Sequence, residues 1–189
     1  LGIILLVVAV LPLLGLGGMQ LYRAETPGPM KDDKLTPRIA DTARGLWSVY
    51  FSLSVACLLA YRWAGMDWPD AFMHMCSTMG LGGFSSHDAG FAHWNSPLIE
   101  AVAIVFMLLA GVSFVRYFAV WHMRSVGVLL RDVEVRTYAA VLLGAALLLS
   151  LVLAAHGTHD TYLAALRASA FHVVSLGTTT GFAATDYTL

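Results

Sequence analysis

The chain has 189 residues, of which 58% are hydrophobic and 12% are charged, and its formal net charge at pH 7 is −1. Soluble domains carry about 25% charged residues, so this composition excludes an ordinary soluble protein, and the balanced charge gives no indication of nucleic acid binding. The apolar residues are concentrated in uncharged stretches that approach the roughly 20 residues of a membrane-spanning helix: Leu1–Tyr22, Gly45–Tyr61, Ala101–Val115 and Thr137–His159.

The predicted elements alternate between membrane helices, polar loops and short helices. In chain order we predict a membrane helix at 1–22, a loop at 23–44, a helix at 45–64, a short helix from Asp67 to about Thr78, an extended segment at 79–86, a returning helix at 97–120, a loop at 121–136, a helix at 137–156, a short helix from Asp160 or Thr161 to about Leu176, and an extended segment at 177–184. Asp67 is the predicted N-cap of the first short helix, with Pro69 in its first turn. The chain begins inside a hydrophobic helix and stops after an extended segment, so we expect it to be part of a longer polypeptide.

A short motif occurs twice, 98 positions apart, at His74–Phe84 and at His172–Phe182. When the two copies are aligned without gaps, their His, Ser, Gly and Phe residues coincide, and Asp88 falls on Asp186. Each copy covers the end of a predicted short helix and the extended segment after it. Small residues and hydroxyls that recur at membrane depth are typical of a pore lining.

The basic residues predict how the chain lies in the membrane. Most of them fall in the two predicted loops or beside them: Arg23, Lys31, Lys34, Arg38, Arg44, Arg116, Arg124, Arg131 and Arg136. By the positive-inside rule these loops are cytoplasmic, and both motif copies enter the membrane from the outside.

The motif has the chemistry that ion conduction requires. A dehydrated cation needs protein oxygens in place of water, and extended backbone can supply carbonyl oxygens where several loops meet. Glycine allows the backbone to adopt the necessary conformations, and Thr179 and Thr180 add hydroxyl oxygens. A short helix that ends at the loop directs its partly negative C-terminus toward the ion. The alternative is that Gly82, Gly83 and Gly181 only permit close helix packing.

The motif copies resemble the filter loops of the Trk/Ktr/HKT superfamily of potassium transporters, and the segment Leu14–Pro29 is similar to the bacterial Trk-type members. The resemblance implies an all-α membrane protein with repeated helix–pore helix–filter loop–helix units, as in potassium channels, and four such units in one chain. Residues 1–22 would then be the second helix of the first unit, 45–120 the second unit and 137–189 the first half of the third. The loops at 23–44 and 121–136 would be cytoplasmic.

The resemblance also implies site residues and partners. Potassium would be coordinated by backbone carbonyls of the two loops, at Leu81, Gly82, Gly83, Thr179, Thr180 and Gly181. The protein would take up potassium across a bacterial inner membrane as a multi-pass pore-forming subunit and would not be an enzyme. It would hold no tightly bound cofactor and no metal other than transported K⁺. Two copies would pair in the bilayer and meet a cytoplasmic nucleotide-binding regulatory subunit.

Three alternatives stay open at this point: a proton-coupled carrier with re-entrant hairpins, a membrane enzyme, and a truncated fragment that transports nothing. The carrier requires acidic or basic groups at the membrane midplane, and the predicted helices offer none that convinces. The enzyme requires a nucleophile motif or paired carboxylates within a helix, and neither is present.

Several polar residues have two readings. His74 and His172 are either ion ligands or hydrogen-bonding residues behind the loops, and the second reading is favoured. His156, His159 and Asp160 have metal-ligand chemistry but stand where a helix end and a cap are expected. Asp88 and Asp186 either attract cations or form turns. Glu100 and Arg116 are expected to reach the two membrane interfaces from opposite ends of one helix, and Cys57 and Cys76 to pack.

Overall fold

The computed structural model describes residues 39–123, 127–156 and 161–184, and within these ranges all regular secondary structure is helical. The predicted all-α class is therefore confirmed. The predicted helix at 1–22 lies outside the described residues, as do His159, Asp160 and Asp186. The helices are α1 (Ile39–Ala64), α2 (Trp68–Met79), α3 (Pro97–Gly111), α4 (Phe114–Met123), α5 (Gly127–Arg131), α6 (Val133–Ala155) and α7 (Tyr162–Gly177), with a 3-10 turn at Gly90–His93.

Two of the described helices are long and apolar enough to cross a membrane, Gly45–Ala64 within α1 and Val133–Ala155, and Pro97–Gly111 is apolar but shorter. Both long helices begin before the predicted boundaries of 45 and 137, so the last residues of each predicted loop are helical. Hydropathy marks where a helix enters the bilayer rather than where it starts. Glu134 in the first turn of α6 favours that polar start by interacting with the helix dipole.

The returning helix, predicted to be continuous over 97–120, is interrupted after Gly111 and resumes at Phe114. A side chain at Gly111 would overlap the hydroxyl of Tyr138, so glycine there leaves room for the Tyr138 ring of α6 in its present position. The Tyr138 hydroxyl donates to the carbonyl of Leu108 at 3.4 Å and so satisfies one of the carbonyls that the helix end leaves without an intrahelical partner. The interruption is thus accompanied by a contact with another helix that hydropathy does not report.

The described helices belong to two compact units. The first contains the described part of the chain up to Leu53 together with Val112–Asp132. In it, the rings of Tyr50 and Phe114 meet edge to face at 5.8 Å, and Arg116 forms an ion pair with Asp132. Arg116 is buried. The exposed position expected of its guanidinium is therefore not found, and a carboxylate partner compensates for its burial.

The second unit contains Ser54–Gly111 and the chain from Val133 onward, and it holds both motif copies. In it α2 packs on α3, and α7 packs on both α3 and α6. The short helices start where predicted, at Asp67 with Pro69 in the first turn and at Thr161, but neither N-cap side chain makes a capping hydrogen bond. Both residues are exposed, so solvent can satisfy the first N–H groups instead.

Candidate functional site

The two motif copies end their helices with nearly the same backbone geometry. We call residues 80–84 the first motif loop and residues 178–182 the second. The helix C-caps are Gly80, with φ −84° and ψ −6°, and Thr178, with φ −89° and ψ 0°. They stand at equivalent positions of the repeat although their side chains differ, so the repeat is one of backbone structure and not only of sequence.

Equivalent hydrogen bonds fold each loop back onto its own helix. The carbonyl of Ser77 accepts from the N–H of Gly82 at 2.8 Å, and the carbonyl of Ser175 accepts from the N–H of Thr180 at 2.8 Å. The N–H of Leu81 likewise donates to Thr78 at 3.2 Å. The bond at the equivalent position of the second copy joins Thr179 and Leu176 at 3.0 Å. The loop amides thus face the partly negative C-termini of α2 and α7.

These amide contacts fix where the loop carbonyls point. In a trans peptide the C=O is directed opposite to the N–H of the next residue, and the described residues contain no cis peptide. Because the N–H groups of Gly82 and Thr180 point into the helix ends, the carbonyls of Leu81 and Thr179 point away from them. The N–H of Gly181 also donates to Ser175, at 3.2 Å, which directs the Thr180 carbonyl away in the same manner.

The sign of φ alternates along both loops. Leu81 and Gly83 have φ of 51° and 69°, and Thr179 and Gly181 have φ of 61° and 85°, whereas the residues between them do not have positive φ. Positive φ costs a non-glycine residue about 1–2 kcal/mol, so its recurrence at Leu81 and Thr179 marks a conformation that the surrounding structure enforces. In the second motif loop the N–H groups of Thr180 and Gly181 both donate to Ser175, so the carbonyls of Thr179 and Thr180 face the same way.

The two loops meet at Gly83. A side chain there would overlap the carbonyl oxygen of Thr180 and would come within 3.1 Å of the Gly181 carbonyl carbon. Further along, the N–H of Phe91 donates to the carbonyl of Ala183 at 3.0 Å, and the left-handed conformation of Gly90 allows that approach. The structure therefore brings together the two glycines around which the motif was identified.

A buried aromatic layer supports the loops. His74 is fully buried, its Nδ1 donates to the carbonyl of Asp70 at 2.9 Å, and its Nε2 accepts from Ser85 Oγ at 3.0 Å. Its ring stacks on Phe182 at 6.1 Å, across the two motif copies. Tyr61, which sequence reasoning missed, bonds through its hydroxyl to Thr78 Oγ1 at 2.7 Å. The favoured reading of His74 as a hydrogen-bonding residue behind the loops agrees with this geometry.

The segment after the first motif loop is tied to the start of α2 through Asp70. Ser86 Oγ donates to one carboxylate oxygen at 2.8 Å, and His87 Nε2 lies 3.2 Å from the other. The hydrogen bonds from Ser86 and then from His87 lower the pKa of the Asp70 carboxyl. The His87 ring also stacks on that of His93, with ring centres 3.8 Å apart. Asp70 therefore anchors the segment after the first motif loop in its ionised form.

The hydroxyl of Thr180, which the sequence offered as an ion ligand, is engaged within the protein. Thr178 Oγ1 donates to the carbonyl of Val174 at 2.8 Å, so Thr180 is the donor in the 2.7 Å bond between the two threonine hydroxyls. The Thr180 side chain thus lies in a buried network. Asp88 is exposed. Among the described residues no group of three His, Cys, Asp or Glu side chains is arranged to bind a metal ion.

Glu100 is buried, whereas a residue at the membrane interface is expected to be exposed. Its carboxylate forms a two-pronged ion pair with Arg167, with both N–O distances 2.6 Å. Only 4% of Glu100 is exposed, so a paired cation is what makes its burial tolerable. Arg167 is the only basic Lys or Arg residue in the second predicted short helix. That isolated arginine was the sequence signal for a buried partner.

The two loops differ at their phenylalanines. Phe182 is 4% exposed and Phe84 is 79% exposed. Ser175 Oγ donates to the carbonyl of Phe182 at 2.8 Å, whereas the equivalent hydroxyl, Ser77 Oγ, is buried without a hydrogen-bond partner among the described residues. Phe182 lies against His74 of the first copy and against Phe91, which explains its burial.

Comparison with known proteins agrees with this geometry. A family model described as TrkH, cation transport protein, matches residues 1–188. Trk system potassium uptake protein TrkH of Salmonella typhimurium is 48% identical over 181 residues, and that of Escherichia coli strain K12 is 46% identical. Each match covers 96% of this chain and 38% of the relative.

A solved structure is similar to this chain in both fold and sequence. The crystal structure of the potassium transporter TrkH from Vibrio parahaemolyticus matches 97% of this chain and 36% of its own, with a TM-score of 0.76 and 36% identity. This chain thus spans well under half the length of the relatives it matches. The family match over nearly all of its residues, the repeated loops and the shared fold together establish that the chain belongs to the TrkH family of cation transport proteins.

Proposed function

We propose that this chain provides two of the filter loops of a Trk-type potassium uptake protein. The observation that carries the proposal is the pairing of two equivalent loops whose amides face their own helices and whose carbonyls face away. Carbonyl oxygens that face away in this manner can replace the water around a potassium ion without any charged side chain. The names of the relatives, all Trk system potassium uptake proteins, support potassium as the ion.

The coordinating groups in this proposal are the backbone carbonyls of Leu81, Gly82, Gly83, Thr179, Thr180 and Gly181. The C-termini of α2 and α7 add a favourable field for a cation in front of them. The hydrogen bonds of Gly82 and Thr180 to Ser77 and Ser175 hold the loops in place before an ion arrives. Transport then consists of dehydration into these sites and release, with no covalent chemistry, so the protein is not an enzyme.

We extend the proposal to the complete protein on the basis of its TrkH relatives. The chain covers 38% of the length of its relatives, so further filter loops would come from outside it. The site of action would be a bacterial inner membrane, and two helices are long and apolar enough to cross a membrane. Two copies would pair, and a cytoplasmic nucleotide-binding subunit would regulate uptake. The word "system" in the relatives' names agrees with more than one component.

The test is potassium uptake by the complete polypeptide that contains this sequence, expressed in a bacterial host without its own potassium uptake systems. We expect growth at low external K⁺ and uptake of Rb⁺ in preference to Na⁺. The Gly181→Val variant should lose this preference, because Gly181 has φ of 85° and a β-branched residue does not adopt that conformation readily. Unchanged uptake and selectivity in this variant would contradict the assignment of the filter loops. Uptake that depends on an imposed proton gradient would instead favour the carrier.

A further inference from the structure

The ion pair between Glu100 and Arg167 joins two parts of the second unit that the sequence holds far apart. Glu100 lies in the first turn of α3, the helix that returns after the first motif loop. Arg167 lies on α7, the short helix that ends at the second motif loop. Both N–O distances of the pair are 2.6 Å, and the carboxylate is buried. The pair thus connects one repeat to the helix that carries the loop of the next.

This ion pair has no counterpart at the equivalent position of the first short helix. When the 98-residue spacing of the motif is extended to the short helices, the position equivalent to Arg167 is Pro69, which cannot form an ion pair. The first short helix has a different tether, the 2.7 Å hydrogen bond between Tyr61 and Thr78 near its C-terminus. Thr78 is in turn equivalent to Leu176, which has no hydroxyl. Each short helix is therefore fixed by its own polar contact.

From this arrangement, and resting on the proposed function, we propose that Glu100 and Arg167 are positioning residues for the second motif loop. Neither side chain is assigned to the ion itself. The pair fixes where α7 lies on α3, and the end of α7 sets where the carbonyls of Thr179 and Thr180 are held. Coordination of a dehydrated ion depends on placement to within about 0.5 Å, so a small shift of α7 changes affinity and selectivity.

The physical reason for using an ion pair is its directionality. An apolar contact between α3 and α7 tolerates sliding, whereas a planar guanidinium that binds a carboxylate through two nitrogens fixes both distance and orientation. Because Glu100 is buried, a displaced α7 would leave a carboxylate without its cation, which strongly disfavours the displaced state. The pair therefore makes one position of α7 along α3 much more stable than the adjacent positions.

The experiment measures Rb⁺ uptake by the complete polypeptide and separates KM from Vmax. Vmax depends on how much protein reaches the membrane, whereas KM and the Rb⁺/Na⁺ preference do not. The variants are Glu100→Gln, the conservative Arg167→Lys, the doubly neutral Glu100→Gln with Arg167→Met, and the charge exchange Glu100→Arg with Arg167→Glu. Arg136→Gln is the control, because it removes an exposed arginine from α6, which also packs on α7.

We expect Glu100→Gln and the doubly neutral variant to raise KM for Rb⁺ on the order of ten-fold and to reduce the preference over Na⁺. Arg167→Lys should keep the charge but lose the two-pronged geometry, and its KM should lie between these and the wild type. The charge exchange should recover part of the loss, and Arg136→Gln should keep the wild-type KM.

The proposal is overturned if the variants lower Vmax in proportion to protein in the membrane while KM and ion preference stay at wild-type values. That outcome would make the pair a contribution to stability alone. The doubly neutral variant keeps this test available if a single substitution prevents insertion, because it leaves no unpaired charge. Failure of the proposed function looks different, since the wild-type protein itself would then show no Rb⁺ uptake.

Discussion

Gly83 and Thr180 come from different motif loops, and a methyl group on Gly83 would overlap the carbonyl oxygen of Thr180. The space in front of one loop is therefore bounded by the backbone of the other. The two glycines at equivalent positions of the repeat are consequently not equivalent in their surroundings, because nothing among the described residues lies within 4 Å of a side chain placed on Gly181.

This difference predicts that Gly83→Ala is more damaging than Gly181→Ala. Both substitutions incur about 1–2 kcal/mol of backbone strain because both glycines have positive φ. Only Gly83→Ala also pushes the Thr180 carbonyl out of place. The measurement is Rb⁺ uptake and its inhibition by Na⁺ for the two variants at matched membrane levels. Equal losses, or a larger loss for Gly181→Ala, would contradict the contact.

The serine pair gives a second comparison within the repeat. Ser175→Ala removes a 2.8 Å hydrogen bond to the carbonyl of Phe182 and should destabilise the second motif loop by about 1 kcal/mol. Ser77→Ala removes a hydroxyl that has no partner among the described residues and should be neutral or slightly stabilising. Thermal unfolding of the purified protein in detergent, with each variant measured beside the wild type, checks this. A larger effect at Ser77 would count against the assigned bond.

The bond between Tyr61 and Thr78 predicts non-additive effects. Thr78→Val leaves a buried tyrosine hydroxyl without its hydrogen-bond partner and should destabilise the protein by about 1–3 kcal/mol. Combining it with Tyr61→Phe removes both partners and should recover most of that loss. A double-mutant cycle in detergent provides the measurement. Strictly additive effects would show that the two hydroxyls do not interact.

Asp70 predicts a specific dependence on pH. Its pKa is lowered, chiefly by the hydrogen bond from Ser86, so its contribution to stability is complete above the ordinary carboxyl pKa and is lost as the pH falls through the lowered value. The difference in unfolding temperature between the wild type and Asp70→Asn should therefore stay constant at neutral pH and shrink only below about pH 4. A difference that disappears between pH 7 and pH 5 would assign the effect to another group.

The sequence was sufficient for the features that depend on pattern. The gapless repeat identified two loops, and the structure gives them equivalent caps, equivalent hydrogen bonds and the same alternation of φ. The short helices begin after Asp67 and Thr161, close to the positions that capping preferences indicated. These features are local, so the residues that determine them are near one another in the chain.

What the sequence could not provide depends on contacts between distant residues. The helix end at Gly111 contacts Tyr138 of another helix, and the buried Glu100 is paired with Arg167. Hydropathy treats each charged residue separately, and for that reason Glu100 and Arg116 were both assigned to the membrane interface. The unequal burial of Phe84 and Phe182 is also invisible in a motif that gives them the same position.

The central claim is that backbone carbonyls of both motif loops coordinate the transported ion. Anomalous diffraction from crystals of the complete protein grown in Rb⁺ or Tl⁺ tests it most directly, because the ion positions are then located independently of the protein. We predict ion density in contact with the carbonyl oxygens of Leu81 and Thr179. Ion density held by side chains elsewhere, with none at either motif loop, would contradict the account.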